Sequence, residues 1–175
     1  MVRLSFPLNL ALLVSGPTIP LTTPAAIQIA KLVGHSPIIT TASLHNEPLL
    51  KSLGATAVLD RKLPASTIIS EVQKLAGGKP VEYVFDAISL ADTQLLAYDA
   101  LAPGGTLIIV LDEEIPTAKK QQARHSKRVV HGWGTVHVPE NREIGMELFS
   151  RLTEWLRTGV IVVRAGCLVV SLRDG

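Results

Sequence analysis

Residues 81–111 read VEYVFDAISLADTQLLAYDALAPGGTLIIVL and contain a strand–helix–strand unit. Val81–Ala87 has the length of a strand and is rich in β-branched and aromatic residues, and Thr106–Leu111 is an aliphatic run of the same kind of length. Leu90–Leu101 is long enough for a helix, and Pro103-Gly104-Gly105 separates it from the second strand. Two strands joined through a helix run parallel, because the connection crosses over the sheet. This stretch therefore predicts a parallel α/β sheet.

Towards the N-terminus, strands and helices continue to alternate. Aliphatic or β-branched runs predict strands at Leu8–Val14, Pro37–Ala42 and Ala57–Leu59. Helices are predicted between them, at Pro24–Val33, Asn46–Leu53 and Ser66–Ala76. Such alternation is typical of right-handed strand–helix–strand units. The sequence therefore predicts one domain over residues 1–175, a Rossmann-like doubly wound parallel sheet in three layers, α/β/α.

Beyond residue 111 the alternation weakens. Residues 112–132 are polar and basic, which predicts a surface loop. A helix is predicted at Glu140–Thr158, followed by a further strand at Val160–Val163. One face of that helix is expected to be apolar and carries Ile144, Leu148, Leu152, Trp155 and Leu156.

The composition argues against several classes of protein. Hydrophobic residues make up 47% of the 175 residues but aromatic residues only 4%, which suits a sheet core of aliphatic side chains. The net charge is only +2, and the basic segment Lys119–Arg128 is too short to indicate nucleic-acid binding. The single cysteine, Cys167, excludes an internal disulfide and favours a cytoplasmic location. Arg3 and the apolar run Leu4–Val14 resemble a secretory signal, but a strand is the preferred interpretation and no membrane span is expected.

Five short stretches, in the same order, resemble the zinc-independent medium-chain dehydrogenases/reductases. They are residues 26–34 (AIQIAKLVG), 38–43 (IITTAS), 50–55 (LKSLGA), 83–89 (YVFDAIS) and 138–143 (VPENRE). Each stretch alone is weak, but the ordered set covers roughly residues 24–163 and is specific. The nearest subgroup is the fungal enoyl-reductase-like proteins, which include the trans-acting enoyl reductases of polyketide pathways.

The resemblance implies both a function and a missing part. Members of this family place a barrel-like N-terminal domain, which contributes substrate contacts, before a Rossmann domain that binds NADPH. They reduce activated double bonds or carbonyl groups of small molecules by hydride transfer. Nothing in this sequence corresponds to the N-terminal domain, and the fold is expected to be incomplete at both ends. A late strand pairs across a dimer in relatives, which makes Val160–Val163 a candidate edge for a homodimer.

The loop after the first strand departs from the family. A dinucleotide site needs glycines there, because they let the backbone approach the pyrophosphate at the helix N-terminus. Residues 15–24 instead read SGPTIPLTTP, with one glycine and three prolines. Thr22 and Thr23 can still offer hydroxyls to a phosphate, or they only cap the helix. This loop argues against NADP(H) binding, which the rest of the resemblance implies.

The end of the second strand favours NADP over NAD. An NAD site carries Asp or Glu there, which binds the ribose 2′-hydroxyl, whereas an NADP site does not. No carboxylate follows this strand before Glu47. The resemblance implies that Ser43, His45 and Asn46 contact the 2′-phosphate. Arg61 lies where the family often has a tyrosine near the adenine ribose, and a guanidinium would suit the phosphate. Each of these residues is alternatively a helix cap or an ordinary surface residue.

Two further pairs of residues lie at the carboxyl ends of predicted strands, where ligands of such folds bind. The resemblance implies that Asp86 and Ala87 border the cofactor. Asp86 alternatively caps the helix that begins near Leu90. Val110 and Leu111 would flank the nicotinamide by resemblance, and from the sequence alone they are core residues.

No metal site and no catalytic residue is identified. His125, His131 and His137 lack Cys or acidic partners at metal-ligand spacing. Ser15-Gly16 is not a nucleophile elbow, and Cys167 has no evident His partner. A general acid cannot be assigned, because relatives build the substrate cleft between two domains.

Three interpretations of the function follow. The first is the cofactor domain of an NADPH-dependent oxidoreductase, which is not expected to turn over substrate without the other domain. The second is a non-catalytic remnant that binds nucleotide weakly or not at all. The third is a truncated gene product, in which incorrect exon boundaries replaced the glycine loop and removed the first domain.

Overall fold

Six strands form one parallel sheet in the computed structural model, which describes residues 9–14, 22–122 and 127–163. They are β1 (Asn9–Val14), β2 (Ser36–Ala42), β3 (Ala57–Asp60), β4 (Tyr83–Asp86), β5 (Thr106–Ile109) and β6 (Arg128–His131). Their spatial order is β3-β2-β1-β4-β5-β6, and every neighbouring pair is parallel. The chain therefore reverses its direction of winding between β1 and β4, as in doubly wound folds.

Helices lie between successive strands, and one more helix follows the last strand. They are α1 (Thr22–Leu32), α2 (Glu47–Leu53), α3 (Ala65–Leu75), α4 (Ala91–Ala100), α5 (Thr117–Gln122) and α6 (Pro139–Arg157). One 3-10 turn, Leu44–Asn46, leads into α2. Gly54 ends α2 with a φ of 123°, a conformation that L side chains rarely adopt.

Two apolar clusters hold helices α1 to α4 on the sheet. Ile27 of α1 and Leu50 of α2 share a buried cluster with Ile38 of β2. Val72 of α3 belongs to a second buried cluster, together with Ile39 of the same strand. Because successive strand residues point to opposite faces, the neighbours Ile38 and Ile39 enter different clusters. The predicted doubly wound sheet covered on both faces is confirmed.

Two predictions for the later part of the chain are wrong. Residues 112–132, expected to be a surface loop, contain α5 and β6, and β6 pairs with β5 at the edge of the sheet. This edge strand alternates exposed and half-buried residues, so it lacks the aliphatic run of a buried strand. Val160–Val163, expected to be a strand, is irregular, and its Ile161 N–H donates to the Trp155 carbonyl at the end of α6 (3.1 Å). A homodimer through residues 160–163 stays a prediction.

The chain divides into two compact units, residues 1–132 and 133–175. The sheet and helices α1 to α5 belong to the first unit, and α6 belongs to the second. The tyrosines and tryptophans divide in the same way: the first unit contains Tyr83 and Tyr98, and the second contains Trp133 and Trp155. Trp133 is 70% exposed.

Helix α6 covers the expected apolar stripe only in part. Its least exposed residues are Asn141, Gly145, Leu148, Leu152 and Trp155. Gly145 lies so close to Val136 that an added Cβ would come within 2.3 Å of the valine side chain. The predicted apolar face is wrong at Ile144 and Leu156, which are exposed. Neither α6 nor any other helix in the described part of the chain is long and apolar enough to cross a membrane.

Candidate functional site

The carboxyl ends of the strands form one edge of the sheet, called the carboxyl edge below. The winding reverses there between β1 and β4, and Val14 pairs in register with Asp86. Ligands of open α/β sheets bind at this edge, beside the point of reversal. The polar residues that follow β2, β3, β4 and β5 therefore lie where a ligand is expected.

Thr22 and Thr23 begin α1, whose N-terminus follows β1. Thr22 is exposed, whereas Thr23 is fully buried and its Oγ1 has no hydrogen-bond partner within the described structure. A buried hydroxyl without a partner is unfavourable by about 1–3 kcal/mol. A phosphate oxygen at the helix N-terminus would supply an acceptor. The glycine-poor loop of residues 15–21 lies outside the described residues.

Ser43 and Arg61 meet at the ends of β2 and β3. The Arg61 Nε donates a hydrogen bond to Ser43 Oγ (3.0 Å), and the Arg61 main-chain N–H donates to the Ala42 carbonyl (3.1 Å). Both residues are half-buried. His45 is exposed and Asn46 half-buried in the 3-10 turn that follows.

The nearest carboxylates to this pair along the chain already have partners. Glu47 forms an ion pair with Lys51 (2.7 Å), and Asp60 accepts a hydrogen bond from the Lys62 main-chain N–H (3.0 Å). Among the residues that the structure describes, no carboxylate is hydrogen-bonded to the Arg61 guanidinium. Such a cation suits a phosphate better than a ribose diol.

Asp86 is fully buried at the end of β4 and forms the centre of a turn. Its Oδ1 accepts hydrogen bonds from the main-chain N–H groups of Ile88 (2.9 Å) and Ser89 (2.8 Å). Its Oδ2 accepts one from Thr93 Oγ1 (2.7 Å), and this hydroxyl in turn accepts from the Leu90 N–H (3.0 Å). Asp86 therefore supports the start of α4 through Thr93, and its carboxylate is directed into the turn.

Burial raises the pKa of Asp86 above its ordinary value of 3.8, while the hydrogen bonds from Ser89, Thr93 and Ile88 oppose the rise. Asp92 nearby adds a small further increase. The ionised carboxylate is thus less favourable here than in water, although it is well bonded.

Ser89 and Gln94 extend this network, and neither was identified from the sequence. Ser89 has a φ of 57°, which is uncommon for a residue other than glycine. Its hydroxyl donates to the Asp86 carbonyl (2.8 Å) and accepts from the Val110 N–H (2.8 Å). The Gln94 amide donates to the carbonyls of Ser89 and Asp112, each at 2.8 Å. The turn after β4 is therefore tied to the segment after β5.

Ala87, Val110 and Leu111 lie on the surface of these segments. Ala87 and Val110 are half-buried, and Leu111 is 50% exposed. An exposed leucine at the carboxyl edge offers apolar surface to a ligand. The structure therefore brings Asp86, Ala87, Val110 and Leu111 to one side of this edge, and Ser43 and Arg61 to the other.

This strand order with helices on both faces defines a Rossmann-type α/β domain. The family described as zinc-binding dehydrogenase matches residues 24–149, and the chain belongs to that family. The resemblance to medium-chain dehydrogenases/reductases is confirmed. Within the described ranges, no group of three His, Cys, Asp or Glu residues is placed to hold a metal ion.

Curated proteins similar to this chain include trans-enoyl reductases. The trans-enoyl reductase grgB of a Penicillium species is 29% identical over 165 residues, which cover 86% of this chain and 45% of grgB. The chain thus spans about half the length of the curated relatives it matches.

Solved structures share the fold at low sequence identity. A mycobacterial protein in complex with NADPH has a TM-score of 0.73 at 23% identity, covering 93% of this chain and 51% of that one. The quinone oxidoreductase of Escherichia coli complexed with NADPH has a TM-score of 0.71 at 20% identity, covering 90% and 48%.

Proposed function

We propose that this chain is the NADPH-binding domain of an oxidoreductase that reduces an activated carbon–carbon double bond or a carbonyl group of a small molecule. Family membership, the trans-enoyl reductase relative and the NADPH complexes among the similar structures support this proposal. The observation that carries it is the pairing of Arg61 with Ser43 at the ends of β3 and β2. This pair places a cation where an NAD site would need a carboxylate.

Each part of the carboxyl edge then has a role in holding the cofactor. Ser43 and Arg61, with His45 and Asn46 beside them, hold the 2′-phosphate through charge-assisted hydrogen bonds. Thr22 and Thr23 offer hydroxyls at the N-terminus of α1 to the pyrophosphate.

The other side of the edge serves the nicotinamide. Asp86, by holding its turn, places Ala87 beside Val110 and Leu111, and these residues form the surface for the ring. When bound, NADPH supplies the hydride. The residues of this chain bind and orient it, and no group that transfers a proton is assigned to them.

Titration of the purified chain with NADPH and NADH, followed by fluorescence, tests the proposal. We expect micromolar or tighter binding of NADPH and a clear preference over NADH, because the Arg61 guanidinium recognises a phosphate that NADH lacks. Arg61→Gln should weaken NADPH binding roughly tenfold or more and leave NADH binding unchanged, since a charged hydrogen bond contributes about 1.5–3 kcal/mol.

Arg151→Gln is the matched control, because Arg151 pairs with Glu147 on the exposed surface of α6 in the second unit. It should leave the affinities for both nucleotides unchanged. A folded chain that binds neither nucleotide would contradict the proposal.

A non-catalytic remnant is the second candidate, and one observation favours it. Residues 15–24 contain three prolines and a single glycine, and each proline removes a main-chain donor from the phosphate loop. Under this candidate, the titrations show no saturable binding of either nucleotide although the sheet is folded.

A further inference from the structure

Gln94 is a fully buried polar residue in the first turns of α4. Its side-chain amide bonds main-chain groups on two other segments of the chain. The Nε2 donates to the carbonyls of Ser89 and Asp112 (2.8 Å each), and the Oε1 accepts from the Glu114 N–H (2.9 Å). Both Nε2 hydrogens and one acceptor position of Oε1 are therefore used, and these bonds compensate for the burial of the amide.

The segment that Gln94 holds follows β5 and comprises residues 110–114, called the β5 loop below. Its residues 111–114 are exposed, and Ile115 then returns to the core. The loop has main-chain bonds to two buried side chains: Val110 to Ser89, and both Asp112 and Glu114 to Gln94. Exposed loops usually hydrogen-bond to water and sample several conformations. Here the bonds to alternate residues fix the path of the main chain.

The core by itself does not require a glutamine at this position. An apolar side chain of similar volume would fill the same space without the desolvation of an amide. The start of α4 also has its own bonds, because Thr93 Oγ1 accepts from the Leu90 N–H. What Gln94 adds is the attachment of an exposed loop to the turn after β4.

We propose that Gln94 is a positioning residue that holds the β5 loop in the conformation needed to receive the nicotinamide half of NADPH. This inference rests on the proposed function. Gln94 acts through Leu111, which the fixed loop presents with half of its surface exposed at the carboxyl edge. The adenosine half, at Ser43 and Arg61, is independent of Gln94. A loop fixed before binding also avoids the entropy that ordering it would otherwise require.

Two probes separate the halves of the site: NADPH, and adenosine 2′,5′-bisphosphate, which has the phosphorylated adenosine but no nicotinamide. Gln94→Met keeps the volume of the side chain and removes its three hydrogen bonds. We expect this substitution to weaken NADPH binding roughly five- to thirtyfold, the factor that corresponds to 1–2 kcal/mol. The affinity for the bisphosphate should change by less than about twofold, because the Arg61 side stays intact.

Val72→Ala is the control for a general loss of stability, since Val72 is fully buried in α3 and belongs to neither of the two segments that Gln94 bonds. It should leave the ratio of the two affinities unchanged. If Gln94→Met does not fold, Glu114→Pro carries the test, because it removes the main-chain N–H that donates to Gln94 Oε1 from an exposed residue of the loop and leaves the core unchanged. The same selective loss of NADPH binding is expected.

The outcomes are distinguishable. Wild-type chain that binds neither probe removes the proposed function, and the inference with it. Wild-type chain that binds NADPH, together with a variant that loses both probes equally or neither, overturns the role of Gln94 alone. Faster amide hydrogen exchange at Glu114 in Gln94→Met should accompany the selective loss, because its acceptor has been removed.

Discussion

The two sides of the carboxyl edge are built differently. On the side of β4 and β5, the side chains of Asp86, Ser89 and Gln94 are fully buried. Their hydrogen bonds hold the turn after β4 and join it to the loop after β5. After β2 and β3, one bond joins the half-buried side chains of Ser43 and Arg61. A phosphate can be recognised by a mobile cation, whereas a neutral ring needs a surface whose shape is already set. Under the proposed function, one side of the edge would recognise charge and the other would recognise shape.

Removing both acceptor oxygens of Asp86 should produce the largest effect on stability. Asp86→Ala leaves the N–H groups of Ile88 and Ser89 without their acceptor, which should lower the free energy of unfolding by about 2–4 kcal/mol. Asp86→Asn keeps one acceptor oxygen for the N–H groups of Ile88 and Ser89. Its amide can donate to Thr93 Oγ1, and the Thr93 hydroxyl can then donate to the Leu90 carbonyl (3.0 Å). Urea unfolding followed by circular dichroism should place the Asn variant within about 1 kcal/mol of wild type. Equal losses for the two variants would show that the turn depends on charge.

The pH dependence of stability should distinguish wild type from Asp86→Asn. The pKa of Asp86 is raised by burial, so between 3.8 and the raised value the folded chain binds more protons than the unfolded chain. The contribution of Asp86 to stability therefore increases as the pH falls through that window. In Asp86→Asn this increase should disappear when unfolding curves are measured across the acid range. Identical pH profiles for wild type and Asp86→Asn would contradict the raised pKa.

Substitutions of Ser89 should have an intermediate effect and distinguish backbone strain from bonding. Ser89→Ala and Ser89→Gly both lose the hydroxyl that joins Asp86 to Val110, but only alanine retains the penalty of a left-handed φ. Ser89→Ala should destabilise by about 1–2 kcal/mol, and Ser89→Gly by roughly 1 kcal/mol less. The difference between their urea midpoints measures the strain at this position. A glycine variant less stable than the alanine variant would show that the φ of Ser89 carries little strain.

Arg61→Gln should have the smallest effect on stability. Its side chain has one hydrogen bond to a half-buried serine, and water can replace that bond. We expect the free energy of unfolding to change by less than about 0.5 kcal/mol, while NADPH affinity falls as described above. A loss above about 1 kcal/mol would show that this side of the edge is as firmly built as the other.

The sequence predicts the fold well where strands are buried on both faces. Thr106–Leu111 is a nearly continuous aliphatic run, so its identity as a parallel strand is evident without tertiary information. β6 was missed because an edge strand is half exposed and has no such run. Val160–Val163 has the run but no neighbouring strand among the described residues, so its composition misled the prediction. Pairing depends on partners distant in sequence, which composition does not specify.

The site was predictable to the extent that it depends on strand ends. Ser43, Arg61 and Asp86 each follow a strand, and parallel strands end at one edge, so their placement follows from the sheet. Ser89 and Gln94 were missed because their partners are main-chain groups of other segments. One signal was present for Gln94: it is a polar residue on the buried side of α4, three and four positions before the core residues Ala97 and Tyr98. A polar side chain in such a stripe indicates a buried hydrogen-bond network.

The separation of the tyrosines from the tryptophans gives the two units separate optical signals. Both tryptophans belong to residues 133–175, and both tyrosines belong to residues 1–132. Indole emission therefore reports on the smaller unit, and the exposed Trp133 should emit at long wavelength and be readily quenched by iodide. If the units unfold independently, melting of the sheet leaves the tryptophan emission unchanged. Melting of the sheet is followed instead by tyrosine absorbance or by far-ultraviolet circular dichroism. The chain carries an intrinsic spectroscopic test of whether its two units unfold together.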